Sequence, residues 1–284
     1  MGEAHRIRML ISDVDGTLLD PECELSRESI RAIARYRQAG LKFSLSSARP
    51  PFGMRWLIRE LEIQSVCSGL NGAVLFRPGG RIVAECSLDH QTIEAMVEKM
   101  TGHGLDAWFY TRSQWFVPRI DGPHVQHNAD SLRTEPQLYA HLRDIAAPIL
   151  KVVGTGADLQ SVEACESEFA QAFAGRVSVV RSQPHYLDLT HPSADKGTAA
   201  IVIATAEGME MEEVAVVGDS PADVPMFRIA GLSVAMGQAS EGVRRTADEV
   251  TGTSRENGVA LLIDRLLNAK SAAAGSGGRA TWSC

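Results

Sequence analysis

Short apolar runs that end in polar turns alternate along this chain with longer segments of helical period. The run MLISDVDGTLL spans 9–19, LKFSLSS spans 41–47 and EVAVV spans 213–217, each closing on hydroxyls, acids or glycine. Runs of this length, bounded by turn residues, read as strands. Between them, Ser26 to Gly40 carries Ile30, Ile33 and Ala34 on one helical face and stops at a glycine, and Thr198 to Ala206 forms another helical run. Strands alternating with helices predict an α/β fold built on a doubly wound parallel sheet.

The middle of the chain follows a different pattern. Ile93, Met96, Val97 and Met100 recur at helical spacing, followed by aromatic-rich strands at Ala107 to Tyr110 and Gln114 to Pro118. A second helical face at Val162, Cys165, Phe169 and Phe173 precedes a strand at Val177 to Val180. The chain therefore divides into a discontinuous core, 1–82 and 185–271, and an inserted smaller α+β unit, 83–184, with crossings near Ile82 and His185. Residues 272–284, small and polar, read as a disordered tail. At 284 residues two domains are expected, at roughly 100–200 residues each.

Candidate chemistry collects at the strand ends. Asp13 and Asp15 are one residue apart, and in an extended chain they share a side. Carboxylates that close repel unless a cation or shared proton compensates, so the pair points to a divalent metal, acid/base work or both. The bland alternative is an acidic turn after a buried strand. A second cluster, Gly218-Asp219-Ser220-Pro221-Ala222-Asp223, follows another apolar run. In parallel α/β sheets ligands bind beyond the carboxyl ends of strands, where acids far apart in sequence can meet. Oxygen ligands without His/Cys metal spacing favour Mg²⁺ over zinc. Ser46-Ser47-Ala48-Arg49-Pro50 adds hydroxyls and a guanidinium able to grip phosphate, although any single serine there reads more readily as a helix cap. Lys196 opens a helix, where a cation is misplaced unless it faces an anion.

DVDGTL at 13–18, SSARP at 46–50, DKG at 195–197 and GDSPAD at 218–223 resemble, in order and spacing, the four motifs of the haloacid dehalogenase superfamily. Asn71-Gly72-Ala73, AMGQA at 235–239 and Glu256-Asn257-Gly258-Val259-Ala260 narrow the resemblance to Cof-like phosphatases with the larger, class IIB α/β cap. It covers about Arg6 to Leu267. The resemblance implies a core of the doubly wound kind, with the inserted unit as a cap that closes over the site and selects the leaving group.

It also implies roles. Asp13 would be the nucleophile that forms an aspartyl-phosphate, and Asp15 the acid that protonates the leaving alcohol and then the base that activates water. Ser47, Arg49, Lys196 and Asn71 would bind the substrate phosphate. Mg²⁺ would be held by Asp13, Asp219, Asp223 and the backbone carbonyl of Asp15. Three positions depart from the pattern: Ala48 replaces a glycine, Ser47 a threonine and Ala222 an asparagine. Ser47 keeps the hydroxyl, whereas Ala222 removes a polar group beside the metal site.

Composition narrows the remaining choices. A net charge of −7 leaves no basic footprint for nucleic acid, so an anionic substrate must be drawn in by local features. Five cysteines with no C-x-x-C pair argue against disulfides and structural zinc and for reduced thiols in a cytoplasmic protein. No stretch reaches the ~18 apolar residues of a membrane span. Within the inserted unit, Arg112, Arg119, Asp121, His124 and His127 read as solvated loop residues, and Trp108, Trp115 and Phe116 as its internal core. The expected partner is a small phosphorylated metabolite, a sugar phosphate, and the chain is expected to be a monomer or weak homodimer. Two alternatives share the fold: a sugar phosphomutase, which returns the phosphoryl group to the sugar, and a non-catalytic binding module.

Overall fold

The computed structural model describes residues 7–276, with side chains to residue 272. The chain opens with β1 (Met9–Ser12), α1 (Arg27–Gln38), β2 (Lys42–Leu45) and α2 (Pro51–Glu60), then a ribbon of β3 (Cys67–Gly69), β4 (Val74–Phe76) and β5 (Ile82–Glu85). The inserted unit follows with α3 (His90–Gly102), β6 (Asp106–Tyr110), β7 (Trp115–Val117), α4 (Val125–Leu132), β8 (Gln137–Leu138), β9 (Lys151–Thr155), α5 (Leu159–Ala172), β10 (Ser178–Gln183) and β11 (Tyr186–Thr190). The chain returns through α6 (Lys196–Ala206), β12 (Val214–Gly218), α7 (Val224–Phe227), β13 (Leu232–Ala235), α8 (Glu241–Arg244), β14 (Glu249–Val250) and α9 (Gly258–Ser276).

The core sheet runs β14-β13-β12-β1-β2, every pair parallel. Its central strands are buried on both faces, which explains their unbroken apolar runs. Leu10, Ala215 and Val217 pack with Ile33 and Tyr36 of α1 and with Leu262 and Ile263 of α9. Met9, Ile11, Val214 and Val216 pack on the opposite side against Ala200 and Ile203 of α6 and Met226 of α7. From β1 the chain winds one way to β2 and, after the insertion, the other way from β12 to β14. The strand order thus reverses between β1 and β12, and the crevice beyond their carboxyl ends is the place such sheets reserve for ligands.

The second sheet runs β10-β11-β9-β6-β7-β8. Alternation along its strands separates two faces. Ala107, Phe109, Val152, Leu187 and Leu189 pack under α3 and α5. Trp108, Tyr110, Val153 and Tyr186 face the core, in a cluster that includes Phe52, Leu70 and Val74. Pairing places both crossings a few residues later in the chain than expected. β5 stays hydrogen-bonded to β4, so the chain leaves the ribbon after Glu85 and not at Ile82. β11 pairs with β9 and β10 in the inserted sheet, so the return follows Thr190 and not His185. Five residues of the expected tail, 272–276, continue α9, and the remainder lies outside the described residues. Among the described residues, Cys23, Cys67, Cys86 and Cys165 are free thiols, and no helix is long and apolar enough to cross a membrane.

Candidate active site

β1 stops at Ser12, so strand alternation is not what places the two leading acids. Asp13 leaves the sheet beside Gly218, because Ser12 pairs with Val217 in parallel register. A tight turn then carries Asp15 into the lining of the same cavity. Gly16 makes that turn possible: its φ is +79°, and a Cβ there would stand 2.6 Å from Asp219 Oδ2. Gly218 has an equally close constraint, since a Cβ would meet Asp223 Cγ at 2.3 Å.

At the switch point the residues form one buried cluster. Lys196, 2% exposed, donates to Asp13 Oδ1 at 2.5 Å and to Asp223 Oδ1 at 2.6 Å. It is the first residue of α6, and Asp195 caps that helix through the Gly197 and Thr198 amides. The cation that seemed misplaced at a helix start therefore faces two carboxylates. Asp223 Oδ2 accepts from the amides of Asp219 (3.0 Å) and Ser220 (2.9 Å) and from the Ser220 hydroxyl (2.9 Å). Both oxygens of Asp223 are thereby engaged, which holds the carboxylate against the Lys196 ammonium. Thr17 Oγ1 donates to Asp219 Oδ1 at 3.0 Å, a contact the sequence did not suggest.

Electrostatics set the needs of this cluster. Burial, then Asp223 and Asp219, pushes Asp13 above the carboxylate range against the pull of Lys196. Burial and Asp223 likewise push Asp219 up to about 6. Burial would lower Lys196, but Asp13 and Asp223 outweigh it and keep it cationic. One ammonium thus serves three carboxylates, and acceptor atoms of Asp13, Asp219 and Asp223 lie within 4.8 Å of one another. An under-compensated set of oxygen donors fits a hard divalent cation. Asp223, whose oxygens are already engaged, orients Lys196 and Asp219 more directly than it offers a ligand.

The remaining expected residues fall differently. Asp15 is 46% exposed and is clamped by Arg49, with Nε at 2.8 Å from Oδ2 and Nη2 at 2.7 Å from Oδ1. Arg49, 4% exposed, also donates through Nη1 to the Ser131 carbonyl at 2.7 Å and through Nη2 to the Ser131 hydroxyl at 3.2 Å. Its guanidinium is therefore engaged by Asp15 and by α4 of the cap. Ser47 is fully buried and its Oγ accepts the Arg49 amide at 3.1 Å, a turn contact and not a helix cap, because α2 follows Pro50 with no side-chain cap. Asn71 lines the cavity in a left-handed turn, φ +56°, with a buried Oδ1 that has no partner. Ala222, where a polar group was missed, also lines the cavity.

The cavity encloses about 580 Å³ between the acidic cluster and the core-facing side of the cap sheet. Trp108 borders it while staying fully buried, packed edge to face on Trp115 with ring centroids 5.4 Å apart in the cluster that also takes in Phe52 and Leu70 of the core. Of the five positions read as solvated loop residues, His127 lies on α4 and lines the cavity, while Arg112 and Arg119 pair with Glu85 and Asp106. Sequence reasoning missed the buried pair Lys151 and Asp188, joined at 2.5 Å on the same wall. Its signal was a charge inside each of two apolar strands, ILKVV and YLDLT.

A family model for haloacid dehalogenase-like hydrolases matches residues 10–263, and the chain belongs to that family. A 5-amino-6-(5-phospho-D-ribitylamino)uracil phosphatase of Bacillus subtilis (strain 168) is 24% identical over 92% of this chain and 99% of its own length. A haloacid dehalogenase-like hydrolase of Bacteroides thetaiotaomicron of known structure is 29% identical, with a TM-score of 0.85 over 92% of this chain and 99% of its own. A structure described as a subclass IIB sugar phosphatase shares the fold at 23% identity, TM-score 0.79, over 91% and 98% of the two chains. Both the core and the cap of the sequence expectation thus have counterparts in solved relatives.

Proposed function

We propose that this protein is a Mg²⁺-dependent phosphatase that hydrolyses small phosphate monoesters, sugar phosphates in particular, through an aspartyl-phosphate on Asp13. The observation that carries the reading is the meeting of Asp13, Lys196, Asp219 and Asp223 at the switch point, with Asp15 lining the same cavity. Named phosphatases among the relatives support it, as does the sugar phosphatase with the same fold.

In the first half-reaction an Asp13 oxygen bonds to phosphorus as the ester P–O bond breaks, and Asp15 delivers a proton to the departing alkoxide. Lys196 neutralises charge on the transferring group while holding Asp13 in line. In the second, Asp15 takes a proton from water as the water oxygen bonds to phosphorus and the Asp13–phosphorus bond breaks. Asp13, Asp219 and the backbone of Asp15 would hold the Mg²⁺, with Asp223 orienting the set. When bound, the ion would supply electrostatic stabilisation of the phosphoryl oxygens. Arg49 donates to both Asp15 oxygens, so it has to release one of them for Asp15 to carry the proton that the departing alkoxide takes.

The test is phosphate release from sugar phosphates and nitrophenyl phosphate, with Mg²⁺ or EDTA, for the wild type beside Asp13→Asn. Metal-dependent release that falls by about 10³-fold or more in the variant is expected. Retained turnover in a folded Asp13→Asn protein overturns the nucleophile assignment, and isomer formation without net phosphate release overturns hydrolysis.

A further inference from the structure

The cap wall of the cavity carries a charged pair that the phosphoryl chemistry does not use. Lys151 on β9 and Asp188 on β11 are 6% and 3% exposed and lie 2.5 Å apart, on the sheet face that looks toward the acidic cluster. A buried ion pair is weak support for stability, since apolar residues of similar size serve as well. Its place in a cavity wall calls for another account. Among the described residues, Lys151 makes one hydrogen bond, to Asp188 Oδ2, which leaves two ammonium N–H groups and Asp188 Oδ1 unengaged. Beside them, Trp108 Nε1 and the Tyr186 hydroxyl, in residues 0% and 8% exposed, have no partner.

The charge balance of the wall decides what can fill it. Each cation that lines the cavity already faces carboxylates: Lys196 has Asp13 and Asp223, Arg49 has Asp15, Lys151 has Asp188, and Arg181 has Glu163 and Glu166. A second anion on the leaving group would therefore meet no free cation at this depth, and it would meet Asp188 directly. A hydroxyl, in contrast, can accept from Lys151 and donate to Asp188 at once. Neighbouring hydroxyls on a carbon chain match that donor and acceptor side by side, and Tyr110 and Tyr186 border the same wall.

We propose that Lys151 and Asp188 read the leaving group as a neutral polyhydroxylated chain or ring, and that their mutual neutralisation excludes esters bearing a carboxylate or second phosphate at the far end. The inference rests on the phosphatase reading and deepens it. It commits to uncharged polyol phosphates over sugar acid phosphates and bisphosphates.

A matched pair of esters isolates the far end: glucitol 6-phosphate and 6-phosphogluconate differ only in a terminal CH₂OH or COO⁻. The expected ratio of kcat/KM favours glucitol 6-phosphate by at least about tenfold in the wild type, the factor that an unpaired charge readily imposes. Asp188→Asn, which leaves Lys151 without its counter-charge, should shrink that ratio by about tenfold. The wild-type ratio stands as a test even if the variant fails to fold. A ratio near one, or one that favours 6-phosphogluconate, overturns the inference while leaving the phosphatase reading intact. A folded Asp188→Asn protein that loses both activities equally also overturns it, because a purely structural pair would behave that way. Failure to hydrolyse either ester or nitrophenyl phosphate overturns both readings together.

Discussion

Replacing Asp219 by Asn should make the metal-free protein more stable, which is the opposite of what removal of a buried hydrogen-bonded group usually does. Burial and the neighbouring Asp223 raise Asp219 from 3.8 to about 6, against the Thr17 hydrogen bond and Lys196, which lower it. At ~1.36 kcal/mol per tenfold, holding that carboxylate ionised at neutral pH costs about 3 kcal/mol. Asp219 is partly exposed, so solvent screens some of this and about 1–2 kcal/mol is the expected gain. Asn keeps the acceptor for Thr17 Oγ1 and nearly the same volume. The sign follows from proton counting: between pH 4 and 6 the unfolded wild type binds fewer protons at this site than the native state, so its stability falls as pH rises. The variant escapes that fall. Urea unfolding in EDTA should therefore place Asp219→Asn above the wild type at pH 8, with the difference mostly gone at pH 4. Saturating Mg²⁺ should reverse the order, stabilising the wild type by about 2.7 kcal/mol at a hundredfold excess over Kd and the variant far less. Equal stability at pH 8 in EDTA, or the same gain at pH 4, refutes the claim that this cluster lacks positive charge.

Three further substitutions probe the same cluster. Lys196→Met should cost about 3–5 kcal/mol of stability at pH 7, because Asp13 and Asp223 are left buried without a counter-charge; urea unfolding within 1 kcal/mol of wild type, by the ~1 kcal/mol scale of ordinary mutations, would show the pair to be dispensable. Asp15→Asn should slow hydrolysis of alkyl phosphates far more than that of nitrophenyl phosphate, whose leaving group needs no proton; an equal loss on both esters would remove Asp15 from the acid role. Gly218→Ala should destabilise by about 1–3 kcal/mol, since its Cβ would sit 2.3 Å from Asp223 Cγ; wild-type thermal stability and kcat would mean that the loop yields freely.

The parts of the site that could be read in the sequence are those whose side chains oppose their surroundings. Asp13, Asp15 and Asp219 stand out because acids at the ends of apolar strands need compensation, and Lys196 because a cation opens a helix. The doubly wound core follows from strands apolar on both faces, as β1 and β12 are. What was not legible depends on which partner arrives across space. Arg49 has the chemistry to grip phosphate, yet Asp15 and Ser131, 34 and 82 residues away, claim its donors. Trp108 is as apolar as any core residue, and only its place on one side of β6 puts it on the cavity. β11 reads as a core strand by position, but its antiparallel pairing with β9 assigns it to the cap sheet. Motif order fixes neither outcome, because a pairing of strands is decided by the register that buries both faces.

The Arg49 clamp joins two units of the chain through one buried side chain. Its guanidinium holds both oxygens of Asp15, at the end of the core sheet, and the Ser131 carbonyl and hydroxyl of α4 at the same time. The position of α4 and the position of the Asp15 carboxylate are therefore not independent: a displacement of one reaches the other through a single planar group whose donors have fixed relative directions.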